Sequence, residues 1–248
     1  MRLPGGSALC ALAVSAAPLA AIAQAAPVEF SWDRDLAQEH DRESYQKRLG
    51  EIVEQSYRFA SSELDLKLLR PLKVEICTPA RYERQFGTEA SRTRGAHYQR
   101  GAIYVNGGNR LDDRFAGGIV HEMTHALLDY RGTSRNLPLW VNEGLAERLG
   151  FKRQGQDGLA PNQIALLQYE GREKRLLPLP TWGRVTWSYL QCFAAALFFE
   201  QRAGRAAMLA VVHRALQGEP FERALDRELR WTFADLEREF ASWVEHLR

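Results

Sequence analysis

The pentapeptide His121-Glu122-Met123-Thr124-His125 constrains this chain more than any other stretch, because it calls for a helix carrying two imidazoles on one face. Residues four apart on an α-helix stand one above the other, so both rings can be aimed at a single cation. Neutral imidazole is a ligand for zinc, and a catalytic zinc keeps three protein ligands and leaves a fourth position to water. Glu122 lies between the histidines and turns off their shared face, where its carboxylate reaches toward water held at the ion. That is the place of a general base, which takes a proton from attacking water and returns it to a departing amine. Around the motif, Phe115, Ile119, Val120, Met123, Ala126, Leu127 and Leu128 are apolar on several sides. A helix over 112–130 is therefore expected to be buried, and a buried acid flanked by buried histidines needs a partner. An accidental pair of histidines is the competing reading.

The next segment, Trp140-Val141-Asn142-Glu143-Gly144-Leu145-Ala146-Glu147, sets two carboxylates one helical turn apart on a second helix opened by Pro138. Glu143 can complete the metal site as third ligand, and Glu147 can accept the distal N–H of a ligating histidine and hold its ring. An ordinary solvated face is the alternative for both. The apolar Trp140, Val141, Leu145 and Ala146 around them favour partial burial.

His-Glu-x-x-His followed, after 17 intervening residues, by Glu143 within Trp-x-Asn-Glu-Gly-x-Ala-Glu resembles the gluzincin zinc peptidases. The likeness is to the peptidase MA-like group and, more distantly, to the thermolysin and M1 aminopeptidase families. It covers 119–149 and is one of layout elsewhere. The resemblance implies a zincin-like fold, zinc held by His121, His125 and Glu143, Glu122 as base, and a strand over 102–106 lining the cleft above the active-site helix. It also points to Tyr189 as a catalytic donor, since a tyrosine stands about that far beyond the third ligand in the group; a core tyrosine packed on Phe193 is the other reading. His97 and His213 are weaker candidates that read as surface or interfacial histidines. This sequence lacks the Gly-x-Met-Glu-Asn signature of the M1 aminopeptidases and has no third histidine soon after His125, as a metzincin would.

The activity expected is that of a zinc-dependent peptidase, an endopeptidase, acting on a peptide or protein substrate. A zinc-binding structural or protein-interaction module of the cell envelope that has lost hydrolysis is the alternative. A net charge of +2, carried by interspersed acids and bases, gives no reason to expect nucleic acid as a partner.

Residues 1–25 read as a signal peptide. Arg2 opens it, 8–22 is largely apolar, and Ala23-Gln24-Ala25 offers a cleavage site. An uncleaved anchor is the alternative. The protein is then exported, periplasmic or secreted, without membrane contact once the leader is removed. In that oxidising setting Cys77 and Cys192 either pair or stay as two separately buried thiols.

The remainder, 26–248, is expected to be one α+β unit with a mixed α/β upper part over 26–130 and a mainly helical lower part over 131–248. Helices are expected over 35–60, 80–86, 112–130, 138–149, 161–169, 186–202, 205–217, 221–229 and 233–247, from apolar residues at helical spacing. Strands are expected over 72–76 and 101–106, and a crossing loop over 177–180. Trp182, Trp187, Trp231 and Trp243 read as packing residues. Arg92, Arg94, Arg100 and Arg110 read as a solvated basic face, with a contact to a substrate carboxylate as the alternative.

Overall fold

The computed structural model describes residues 27–38, 42–93, 95–129, 136–173, 176, 179 and 189–248. The expected leader, most of the expected loop over 177–180, Arg94, Trp182 and Trp187 lie outside these.

Alternation organises the sheet. In β2 (Leu72–Cys77) the side chains of Leu72, Val74 and Ile76 are buried while Lys73 is exposed, as period-2 strand geometry requires when one face meets a core. β1 (Val28–Trp32) and β4 (Ala102–Asn106) lie parallel on either side of β2, with Val74 opposite both Phe30 and Ile103. β3 (Ala96–Gln99) closes the far edge antiparallel to β4, giving the mixed order β1-β2-β4-β3. A two-residue turn, Arg100-Gly101, joins β3 to β4, and both residues take positive φ, 50° and 84°.

The expected helix over 35–60 is instead a 3-10 turn over Arg34–Gln38 and a helix α1 over Arg42–Leu64. Its buried stripe of Leu49, Ile52, Val53, Ala60 and Leu64 runs one turn beyond the expected end. α2 (Pro79–Phe86) is capped by the Thr78 hydroxyl, which accepts from the Arg81 N–H, and α3 (Thr88–Thr93) leads into β3. β1, α3 and β3 were not foreseen. β3 buries only Ala96 fully, too little patterning for four residues to announce a strand.

α4 (Asp113–Asp129) carries the histidine motif through the middle of the molecule, packed on α1, α5 and β3. Asp112 caps it, accepting from the Phe115 N–H at 2.9 Å. α5 (Leu139–Arg153) follows, then α6 (Pro161–Arg172), α7 (Tyr189–Ala203), α8 (Arg205–Leu216), α9 (Phe221–Leu229) and α10 (Phe233–Glu245). The helices after the motif thus match the expected run to within a few residues, and the described residues form an α+β arrangement with a small mixed sheet and a helical C-terminal region.

Glycines let α5 sit unusually close to both neighbours. A Cβ at Gly150 would lie 3.0 Å from the Gly117 carbonyl of α4, and a Cβ at Gly144 would lie 2.3 Å from the Cys192 carbonyl of α7. Arg148 of α5 adds a polar tie to α7 through the Glu200 carboxylate. Trp231 and Trp243 pack on Phe199 and Phe198 of α7, the packing role expected of them. No helix among the described residues is long and apolar enough to cross a membrane.

Candidate metal centre

The one-turn spacing on α4 brings His121 Nε2 and His125 Nε2 to 3.0 Å, with ring centroids 4.7 Å apart and planes at 80°. His121, Glu122 and His125 form a cluster able to coordinate a metal ion. Because α5 crosses so closely, the Glu143 carboxylate also reaches this point, with Oε2 3.7 Å from His121 Nε2 and 3.5 Å from His125 Nε2.

These three atoms bound a nearly equilateral triangle whose corners are about 2.0 Å from a common centre, close to the 2.0–2.1 Å that zinc keeps to imidazole nitrogen and carboxylate oxygen. The donor set suits the ion in chemistry as well as in size: two nitrogens, one oxygen, and an open side facing a cleft.

The surroundings orient the rings. Asn142 Oδ1 lies 2.8 Å from His125 Nδ1. An amide oxygen only accepts, so Nδ1 carries the proton and donates, which turns Nε2 toward His121 and Glu143. His121 Nδ1 lies 3.4 Å from Glu147 Oε1. Burial works against a charge on His125, but the hydrogen bond and charge of Glu143, the charge of Glu122 and the Asn142 contact outweigh it and raise its pKa to about 9. Without metal the pair is therefore an imidazolium beside a carboxylate, and a cation must displace that proton to bind.

Glu122 is buried, and its Oε2 accepts the backbone N–H of Tyr98 at 2.6 Å. The register explains why that N–H is available. Asn106 N–H donates to the Gly95 carbonyl, so the hydrogen-bonded pairs are 95/106, 97/104 and 99/102, and the backbone groups of Ala96 and Tyr98 point away from β4. The strand lining the cleft is thus β3. The expectation that 102–106 would do so is corrected, because β4 is paired on both sides, to β2 and to β3.

Tyr98 also donates its hydroxyl to Asp129 Oδ2 at 2.9 Å, and burial followed by that bond lifts its pKa well above the usual tyrosine range. Tyr189, half exposed at the start of the described part of α7, faces His121 with ring centroids 6.5 Å apart. Together with His97 and Tyr98 from β3 and the α4 motif it lines a cleft of about 190 Å³.

Other candidates lie elsewhere. His213 Nε2 donates to the Leu64 carbonyl at 2.7 Å, tying α8 to the end of α1. Cys77 and Cys192 are separate buried thiols, and burial, helped by the charges of Glu143 and Glu147, pushes Cys192 up to about 12. Arg92 pairs with Glu89 on an exposed face.

Asn142, Tyr98 and Asp129 were not singled out from sequence. Asn142 stands beside Glu143, and Asp129 is four residues past His125 on the same helical face, so both carried a positional signal; Tyr98 carried none. Comparison with protein-family models, with curated proteins and with solved structures gave no match for this chain.

Proposed function

We propose that this chain is a zinc-dependent peptidase with a gluzincin-type site, in which His121, His125 and Glu143 hold the ion and Glu122 serves as general base. The observation that carries this reading is the triangle of His121 Nε2, His125 Nε2 and Glu143 Oε2, with sides of 3.0, 3.5 and 3.7 Å, opening onto a cleft. Bound there, zinc supplies a Lewis acid that makes water a nucleophile near neutral pH and polarises a carbonyl.

The protein's own groups do the rest. With Oε2 fixed by the Tyr98 N–H, Glu122 takes up the proton of the attacking water on its other oxygen and hands it to the leaving amine. Glu147 steadies the His121 ring, and Asn142 that of His125. Tyr189, beside His121, donates its hydroxyl to the oxygen that gains charge as the carbonyl is attacked. The substrate is a peptide or protein in extended form, laid along the outward backbone groups of β3 and cut as by an endopeptidase. We read the protein as exported, periplasmic or secreted, on the strength of residues 1–25.

Metal analysis joined to cleavage of an unfolded protein substrate tests this. Wild type should hold one zinc per chain and cleave; Glu122→Gln should hold the same zinc and lose turnover by at least about a hundredfold. Zinc bound with no cleavage by wild type would favour the alternative, a zinc-binding structural or interaction module of the cell envelope. Equal cleavage by the Glu122→Gln protein would end the peptidase mechanism.

A further inference from the structure

Beside the metal centre lies a second cavity of about 160 Å³, and Tyr98 and Asp129 belong to the walls of both. Among the described residues its lining includes two arginines, Arg70 from the loop before β2 and Arg100 from the β3–β4 turn, and one acid, Asp129. Asp129 also accepts the Tyr98 hydroxyl at 2.9 Å. With two arginines to one acid, the cavity wall has a positive formal balance beside the candidate metal centre.

Arg100 is placed there against local preference. It takes φ 50° in the first position of a two-residue turn where glycine, asparagine or aspartate fit without strain. The turn chemistry gives no reason for an arginine, and its place on the wall of the cavity offers one.

We propose that this cavity is a specificity subsite for a carboxylate on the substrate, held by Arg70 and Arg100. The inference deepens the peptidase reading and rests on it for the identity of the ligand as a peptide. Spacing gives the distance. The Glu122 carboxylate meets β3 at Tyr98, Arg100 is two residues farther on, and an extended peptide rises about 3.3 Å per residue. The carboxylate is thus about two residues from the cleaved bond. It comes from an internal Glu or Asp side chain or from a free C-terminus, and both present the planar oxygen pair that guanidinium groups bind.

The test uses fluorescent decapeptides of alanine and leucine in which one Glu is moved through every position. Each has a Gln twin, and each is made with a free and with an amidated C-terminus. Binding is measured by anisotropy on zinc-loaded Glu122→Gln protein, and cleavage on wild type. Expected is a preference for Glu over Gln of about tenfold at one position, in affinity and in kcat/KM. A preference that instead follows the free C-terminus assigns the subsite to a terminal carboxylate.

Arg70→Gln and Arg100→Asn, each introduced into the protein used for either measurement, should bring the ratio toward one without altering the uncharged twins. Asn suits the turn, so that variant keeps β3 in place. Charge-selective binding without cleavage would sink the peptidase reading and keep the subsite. Cleavage without charge preference, binding of neither twin, or a preference that survives both arginine substitutions together would overturn the subsite.

Discussion

Replacing Gly144 by alanine tests whether the crossing of α5 with α7 is what brings Glu143 to the histidines. The new Cβ would lie 2.3 Å from the Cys192 carbonyl oxygen and 2.8 Å from the Ala196 Cβ. The first is about 1 Å inside an ordinary carbon–oxygen contact, and the obstacle is backbone, which cannot rotate away. α5 must therefore shift by a comparable distance. Overpacking of this kind costs 1–3 kcal/mol, and about 2 kcal/mol here would lower Tm by roughly 4–8 °C in a chain of this size.

The effect on the site is larger than that on the fold. Metal–ligand distances tolerate only about 0.2 Å, so a shift of α5 near 1 Å pulls Glu143 off the triangle and should weaken zinc binding by at least tenfold. Gly118→Ala is the control, because nothing lies within 4 Å of its added Cβ; on helix propensity alone it should be neutral or stabilising by up to about 1 kcal/mol. Calorimetry and competition with a chromophoric chelator read both quantities. Zinc affinity and Tm of Gly144→Ala both equal to wild type would refute the close-crossing account.

Asn142→Ala should leave the fold intact and weaken zinc by about 10–100-fold, because His125 loses the acceptor that fixes its tautomer; competition titration checks it. In metal-free protein His125 has its pKa raised from 6.5 to about 9, so the pairing with Glu143 contributes fully below pH 6.5 and is lost as pH rises through about 9. The contribution is about 3 kcal/mol, and a Tm difference between metal-free wild type and His125→Gln that does not shrink between pH 6 and pH 10 would contradict it. Zinc must displace the same proton, so its apparent affinity should rise about tenfold per pH unit across that interval. Cys77 and Cys192, both buried and with Cys192 held near pKa 12, should resist a thiol reagent such as dithionitrobenzoate in the folded protein and react on unfolding.

What was legible in the sequence is what one helix can state about itself. α4 and α5 show their apolar faces by spacing, and His121, His125, Glu143 and Glu147 name their own faces in the same way, so the helices and the meeting of four side chains followed from the chain. How closely two helices approach is a property of the pair. The glycines at 144 and 150 gave no sign, within their own helix, of the carbonyls they would face. β3 was missed for a related reason. Its identity as a strand depends on pairing with β4, and that pairing moves the lining of the cleft from 102–106 to 96–99. Asn142 was in plain view beside Glu143, and only the hydrogen bond to His125 sets it apart from its neighbours.

Four residues make a short rail. In β3 only Ala96 and Tyr98 turn their main-chain groups outward, and one of those groups already serves Glu122. At about 1 kcal/mol for each net hydrogen bond, a peptide lying there draws no more than a few kcal/mol from its backbone, which by itself corresponds to millimolar binding or weaker. Any sequence could grip such a rail equally loosely. On the peptidase reading, choice among substrates would therefore fall to what the side chains meet on either side of it, and a protein built this way would discriminate by pockets while remaining indifferent to the chain that threads between them.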